Sequence, residues 1–297
     1  MNSIAFFFCD SVAGTLNDHG NLSRIRSRNW QAAFADHHRN RRNRHIRIGY
    51  KRGSWLYRIE RSYNDAEKSL TFAELRAIKT KHLRITQLVF VEQLSEGSVR
   101  GVDFWRDSCF EEIQEIVEFI VPFVNWLTNI TLKNGIREFD LLLASYRNSL
   151  FTGLYIDWFA HNPESIAFVK KQLLSESLLY VRFKASGYSK EFVNEIRAFC
   201  LRESSVNISC ADRWINFDKK FFERLFSTSL VYGKKSLHVL PAQYFELKDL
   251  VDFKKNLQVT TNVDGHCIKW KRRDRVTVTV YNGFQPNSAW KIRFEQK

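Results

Sequence analysis

The stretch Leu178-Leu179-Tyr180-Val181-Arg182-Phe183-Lys184 decides how this chain is read. Leu178, Val181 and Phe183 stand at positions one, four and six, and from Val181 onward apolar and polar residues alternate. Alternation of this kind marks a half-buried strand, with one face toward a core and the other toward water. The spacing recurs in Ile85/Leu88/Phe90, Leu127/Ile130/Leu132, Phe151/Leu154/Ile156, Val206/Ile208 and Leu237/Val239. Taking the middle residues in chain order, the intervals are 42, 24, 27, 25 and 31 residues. A period of about 20–29 with L-x-x-L-x-L spacing is that of leucine-rich-repeat solenoids. The long first interval is expected to hold an irregular loop around Gly97 to Asp107.

Between these strands lie stretches with apolar residues three or four apart, the helical period. Phe110, Ile113, Ile116, Val117, Ile120 and Val124 share one face, and Glu111, Glu112, Glu115 and Glu118 the other. Ser108 with Glu111 and Thr71 with Glu74 have capping-box spacing. Asn162-Pro163-Glu164 supplies a cap, a proline at the first helical position and a favourable carboxylate. Strands alternating with helices imply parallel neighbours joined by right-handed crossovers. A doubly wound sheet buries both faces and would show continuous apolar runs. Ile130-Thr131-Leu132-Lys133 and Val181-Arg182-Phe183-Lys184 alternate instead, so one sheet face is expected to be wet.

The ends read differently. His45–Tyr50 and Trp55–Arg61 alternate around Lys51-Arg52-Gly53-Ser54, an antiparallel hairpin signal. Cys267–Trp270, Val276–Tyr281 and Trp290–Phe294 suggest a second antiparallel element. Residues 3–42 look helical, with Trp30, Ala33, Phe34 and His37 on one face. The expected fold is α/β: a helical segment over residues 1–42, then a leucine-rich-repeat-like β/α solenoid over 43–297 with parallel strands and antiparallel end caps. Within it fall a hairpin over 45–61, repeats over about 83–240 and C-terminal strands over 267–294.

Lys and Arg number 46 against 32 Asp and Glu, a net charge of +14, but the excess is local. The segment Arg24–Arg61 accounts for +10 and the segment 269–275 for +4, leaving the rest neutral. Clustered arginines near Trp30, Tyr50, Trp55 and Tyr57 suit phosphates and bases. The competing reading is a helix C-terminus that favours Arg39, Arg41, Arg42 and Arg44. In the hairpin, Ile46, Ile48 and Tyr50 share the buried face, which leaves Arg47 to solvent. Nucleic acid is therefore the second choice of partner and a protein the first.

A membrane-spanning helix needs about 20 consecutive apolar residues, and no such run exists. The opening apolar run stops at Asp10 without basic residues before it, so a cytoplasmic or nuclear protein is expected. Five widely spaced cysteines form no C-x-x-C pair, which indicates neither a disulfide framework nor a zinc ribbon. Nucleotide-binding, metalloprotease and nucleophile-elbow motifs are missing. Asp36-His37-His38 is the one local cluster resembling acid–base machinery, but adjacent helical histidines face different ways. No catalytic residue, metal ligand or cofactor is assigned.

The wet face of the repeats is the candidate binding surface. Aligning the segments puts Thr131, Tyr155, Arg182, Asn207 and His238 in one row. Lys133, Asp157, Lys184 and Ser209 form the next, with Tyr180 beside them. Tyr and Arg are enriched among interface hot spots, and solenoids bind extended partners on such faces.

At the start of the chain, Phe7-Phe8-Cys9-Asp10-Ser11-Val12 is followed by Leu16, Leu22, Ile25 and Trp30. This pattern resembles a degenerate F-box. With Trp30 to Arg42, Ile48-Gly49-Tyr50 and Trp55, the chain resembles the nematode-expanded F-box and F-box-associated families. The resemblance implies a non-enzymatic adaptor of a cullin-type ubiquitin ligase. Phe8, Asp10, Val12, Leu16, Leu22 and Trp30 would dock on the ligase linker subunit, and the remainder would select a protein substrate. A free interaction module without ligase docking is the alternative.

Overall fold

In a computed structural model the chain forms two units, Met1–Asn129 and Ile130–Lys297, and residue 42 lies inside the first. The structure describes residues 9–10, 12–13, 27–61, 69–92, 105–133, 138–157, 163–184, 188–202, 207–210, 215, 217–227, 235–239, 258–260, 267–271, 276–281 and 290–296.

In the first unit, helix α1 (Arg28–Asn40) buries the stripe that its spacing marks, with Ala33, Phe34 and His37 inside. Ala33 and Phe34 pack with Cys9 and Ala13, and Trp30 stacks on Phe34 with centroids 5.3 Å apart. Strands β1 (Arg42–Lys51) and β2 (Ser54–Glu60) make the expected hairpin, with Ile46, Ile48 and Tyr50 opposite Ile59, Tyr57 and Trp55. Arg52 (φ 52°) and Gly53 (φ 88°) turn it, since a two-residue hairpin turn of this type needs positive φ at both positions. Helix α2 (Phe72–Arg76) carries the expected capping box: the Glu74 N–H donates to Thr71 Oγ1 at 3.1 Å and the Thr71 N–H to Glu74 Oε2 at 2.6 Å.

Strand β3 (Leu83–Glu92) runs parallel to β1, and Leu88, Val89 and Phe90 are buried in succession, so β3 is covered on both faces. The expected loop between Gly97 and Asp107 contains a short strand where it is described. β4 (Arg106–Ser108) pairs with β2, and the adjoining Trp105 covers Gly49 so closely that a Cβ there would meet its ring at 2.9 Å. Pairing of Ser108 with Trp55 delays helix α3 (Phe110–Ile120) by one residue. Its cap is consequently Cys109, whose Sγ accepts the Glu112 N–H at 3.4 Å, not the Ser108–Glu111 box. Ile113, Ile116, Val117 and Ile120 form its buried stripe. Strand β5 (Val124–Lys133) carries the chain into the second unit.

That unit alternates helices and strands: α4 (Glu138–Ala144), β6 (Gly153–Ile156), α5 (Pro163–Leu174), β7 (Tyr180–Phe183), α6 (Lys190–Cys200), β8 (Asn207–Cys210), α7 (Lys219–Ser227) and β9 (Lys235–Val239). β6 to β9 are parallel neighbours, and Leu154, Val181, Ile208 and Leu237 lie level across them. The Asp157 N–H donates to the Leu132 carbonyl as the Lys184 N–H does to Ile156, which sets Leu132 level with Ile156.

One register differs from the sequence alignment. Ile208, not Val206, is the middle residue of its segment, so Ser209 is level with Arg182 and His238, and Asn207 with Tyr180 and Ser236. A two-residue shift keeps every side chain on its own face, so alternation alone cannot detect it. The resulting intervals are 27, 27 and 29 residues.

Ile156, Phe183 and Cys210 are fully buried on the side of the helices, where Phe183 meets Phe192 of α6 at 6.3 Å between centroids. Burying one such ring contributes about 2–3 kcal/mol. At two junctions a segment also satisfies carbonyls at or just past the helix end of the one before it. Lys171 and Gln172 donate to the Arg147 and Ser149 carbonyls, and Arg202 to that of Leu173. After β9 the pairing turns antiparallel, in the order β9, β13 (Trp290–Gln296), β12 (Val276–Tyr281), β11 (Cys267–Lys271) and β10 (Gln258–Thr260). This is the expected C-terminal antiparallel element. The chain is thus mixed α/β.

Candidate functional site

On the face of β5 to β8 away from the helices, the structure gathers most of the residues expected there. Lys133, Arg182, Lys184 and Asn207 are exposed, Tyr180 is 45 % exposed, and Tyr155, Asp157 and Ser209 are half-buried. Asp157 sits between two cations, 3.5 Å from Lys133 Nζ and 4.0 Å from Arg182 Nε. These exposed pairs add little stability, but they hold two long side chains in place on the sheet. Burial raises the Tyr155 phenol above its ordinary range, Tyr180 adds to the effect and Arg182 opposes it. Both tyrosines and Arg182 therefore act on one spot.

Thr131 is level with Tyr155 but buried, so it lines the surface without being offered by it. His238 is placed by its backbone level with Ser209. Asn207 belongs beside Tyr180, not in the row of Arg182, for the register reason given above. The surface also extends beyond what the repeat reveals. β13 sets Lys291 level with His238 and Arg293 level with Ser236, while Ile292 faces the core with Leu237. Alternation in Trp290–Phe294 separates Lys291 and Arg293 from Ile292, but nothing in the repeat says that this strand lies beside β9. Farther out, Thr277 and Thr279 are buried together with Val280, so β12 is covered on both faces.

Of the residues that the F-box resemblance marks, Phe8, Leu16 and Leu22 lie outside the described residues. Asp10 accepts from His37 Nε2 at 3.1 Å and lies 3.9 Å from Lys81 Nζ. Val12 is half-buried and Trp30 packs partly against the Cys9–Ala13–Phe34 cluster.

The basic segment of the first unit is divided where it is described: Arg28, Arg39, Arg42, Arg52 and Arg61 are exposed, and others turn inward. Arg41 donates to the Ala13 carbonyl, Arg44 is buried, and Arg47 and Arg58 flank buried Glu60, the former at 3.4 Å. Arg47 is thus paired in place of the solvation expected for it, because strand pairing brings Glu60 diagonally across from it. Burial, with Arg41 nearby, brings the Arg84 guanidinium down to about 10.

His37 is buried and His38 exposed, as adjacent helical positions require. The Asp36-His37-His38 stretch gains remote partners: Asp36 lies 2.7 Å from Lys81 Nζ and 3.6 Å from His82 Nε2, and the His37 and His82 rings are 5.3 Å apart. Burial lowers the pKa of both imidazoles, while the Lys81 hydrogen bond lowers that of Asp36. Among the described residues no group of His, Cys, Asp and Glu is arranged to hold a metal ion, and no helix is long and apolar enough to cross a membrane.

The class of structure these features define is a mixed α/β fold with a large, mostly parallel sheet, whose β5 to β8 present helices on one side and tyrosines with paired charges on the other. No family model, curated protein or solved structure matches the chain.

Proposed function

We propose that this chain is a non-enzymatic recognition adaptor that binds a protein partner on the polar face of a leucine-rich-repeat-like solenoid. The supporting observation is the grouping of Tyr155, Tyr180 and Arg182 around the Lys133–Asp157 pair on an exposed sheet face. Residues of these types supply large contact area and directional charge, the makings of an interface hot spot. On the F-box resemblance, the N-terminal segment recruits the linker subunit of a cullin-type ubiquitin ligase.

Nucleic-acid binding by segments 24–61 and 269–275 has less support, because Arg41, Arg44, Arg47 and Arg58 are engaged or buried within the first unit. Co-purification of the intact chain with the ligase linker subunit tests the adaptor reading. Leu16→Asp is expected to abolish it and Arg182→Glu to leave it unchanged. Failure of the intact chain to retain the linker subunit overturns the ligase half.

A further inference from the structure

The repeat face of the second unit is unevenly charged. Lys133, Arg182 and Lys184 are exposed on it, and Lys291 and Arg293 continue it on β13 by register. Against these cations stand Asp157, already shared by Lys133 and Arg182, and Glu295, which the same alternation places on this face two residues past Arg293 on β13. Lys184 makes no ion pair among the described residues. Thus this stretch of sheet, drawn from segments whose charges balance along the sequence, is basic on the side that faces water.

We propose that this face binds an extended acidic peptide laid across the strands. The proposal rests on the protein-binding reading above and adds the chemistry of the partner. From β5 to β13 the order is β5, β6, β7, β8, β9, β13. Five strand spacings of about 4.8 Å make about 24 Å, the reach of about eight extended residues at 3.3 Å each. Lys133, Arg182 and Lys291, the last level with Arg182 through Ser209 and His238, then meet the first, fourth and last residues of such a peptide, with Tyr155 and Tyr180 beneath its second to fourth residues. A phosphate backbone suits the face less well. It carries a charge at every nucleotide and must pass over Asp157, whereas a peptide places a neutral residue there.

The test uses the full chain and fluorescence anisotropy with labelled octapeptide pools. Glu, Gln or Lys occupies the first, fourth and last positions, and the others are random. A thymidine oligonucleotide of equal length is the fourth probe. The Glu pool is expected to bind at least about tenfold more tightly than the Gln pool, the worth of roughly one charge-assisted contact. The Lys pool should not bind. Arg182→Glu should lose about tenfold in affinity for the Glu pool, and Lys184→Glu should lose a similar factor. Lys190→Glu, the same charge change on α6, should lose none, and unchanged thermal melts of all three variants show that they fold.

Equal binding of Glu and Gln pools, equal losses in Arg182→Glu and Lys190→Glu, or no binding by any pool overturns the proposal. Tighter binding of the oligonucleotide, lost in Arg182→Glu, assigns the face to nucleic acid instead. Peptide binding without retention of the ligase linker subunit upholds this inference and removes only the ligase reading. Retention of the linker without peptide preference does the reverse.

Discussion

The hairpin of the first unit and the repeat sheet of the second use charge in opposite ways. In the hairpin, Arg47 and Arg58 sit side by side across the strands, and both turn to Glu60, which is only 5 % exposed. Trp105 lies over Gly49 on that same face. In the repeats, Arg182 and Lys133 share Asp157 and stay about half exposed, at 48 % and 47 % of the side chain. Two arginines of the basic segment are therefore drawn to an internal counter-ion. On the sheet of the second unit the shared charges stay open to solvent.

The sharpest way to break this comparison lies within a single strand. Phe183→Ala removes a fully buried ring against Phe192 and should cost about 4 kcal/mol. Arg182→Ala, its neighbour on the open face, should change stability by no more than about 0.5 kcal/mol. Urea denaturation of both variants measures the contrast, and equal costs would mean that the two faces are not distinct.

In the hairpin the prediction reverses, because there a charged residue belongs to the interior. Glu60→Gln leaves Arg47 and Arg58 without their shared counter-ion and should destabilise the protein by about 3 kcal/mol. Substitution of Asp157 by Asn, at the corresponding carboxylate of the repeats, should cost less than about 1 kcal/mol. Denaturation midpoints of the two variants that coincide would erase the distinction between the units.

Acid is expected to separate the units by the smallest margin. His37, His45 and His82 all titrate below the ordinary imidazole value of about 6.5, chiefly because burial disfavours the charged ring. The unfolded chain therefore takes up protons first. Stability from these groups is fully present above pH 6.5 and is lost as the pH falls below it toward the lowered folded values. Hydrogen exchange at pH 7 and pH 5 should show protection falling in α1 and β1 before it falls in β7 and β8. Loss in the reverse order would place the acid-sensitive groups in the second unit.

Much of this was legible in the residues themselves. Ile130, Leu154, Val181 and Leu237 were identifiable as core positions, and Thr131, Tyr155 and Arg182 as their opposite-facing neighbours. A period of two in the side chains assigns faces without knowledge of any partner strand. The hairpin turn, the Thr71 cap and the α1 stripe were legible for the same reason, since each depends on residues within one turn or one heptad. The Asp10–His37 and Asp36–Lys81 contacts were not, as they join residues 27 and 45 positions apart.

What the sequence alone determined, then, is the alternation of helix and strand, its approximate period, and which side chains share a face. These follow from local geometry. Only the tertiary structure decided that Ser209 rather than Asn207 stands beside Arg182, that β13 brings Lys291 and Arg293 next to the repeats, and that Glu60 draws two arginines inward. Register and strand order are set by packing between distant segments. A shift of two residues, or the choice of neighbour at a sheet edge, leaves the local hydrophobic pattern unchanged.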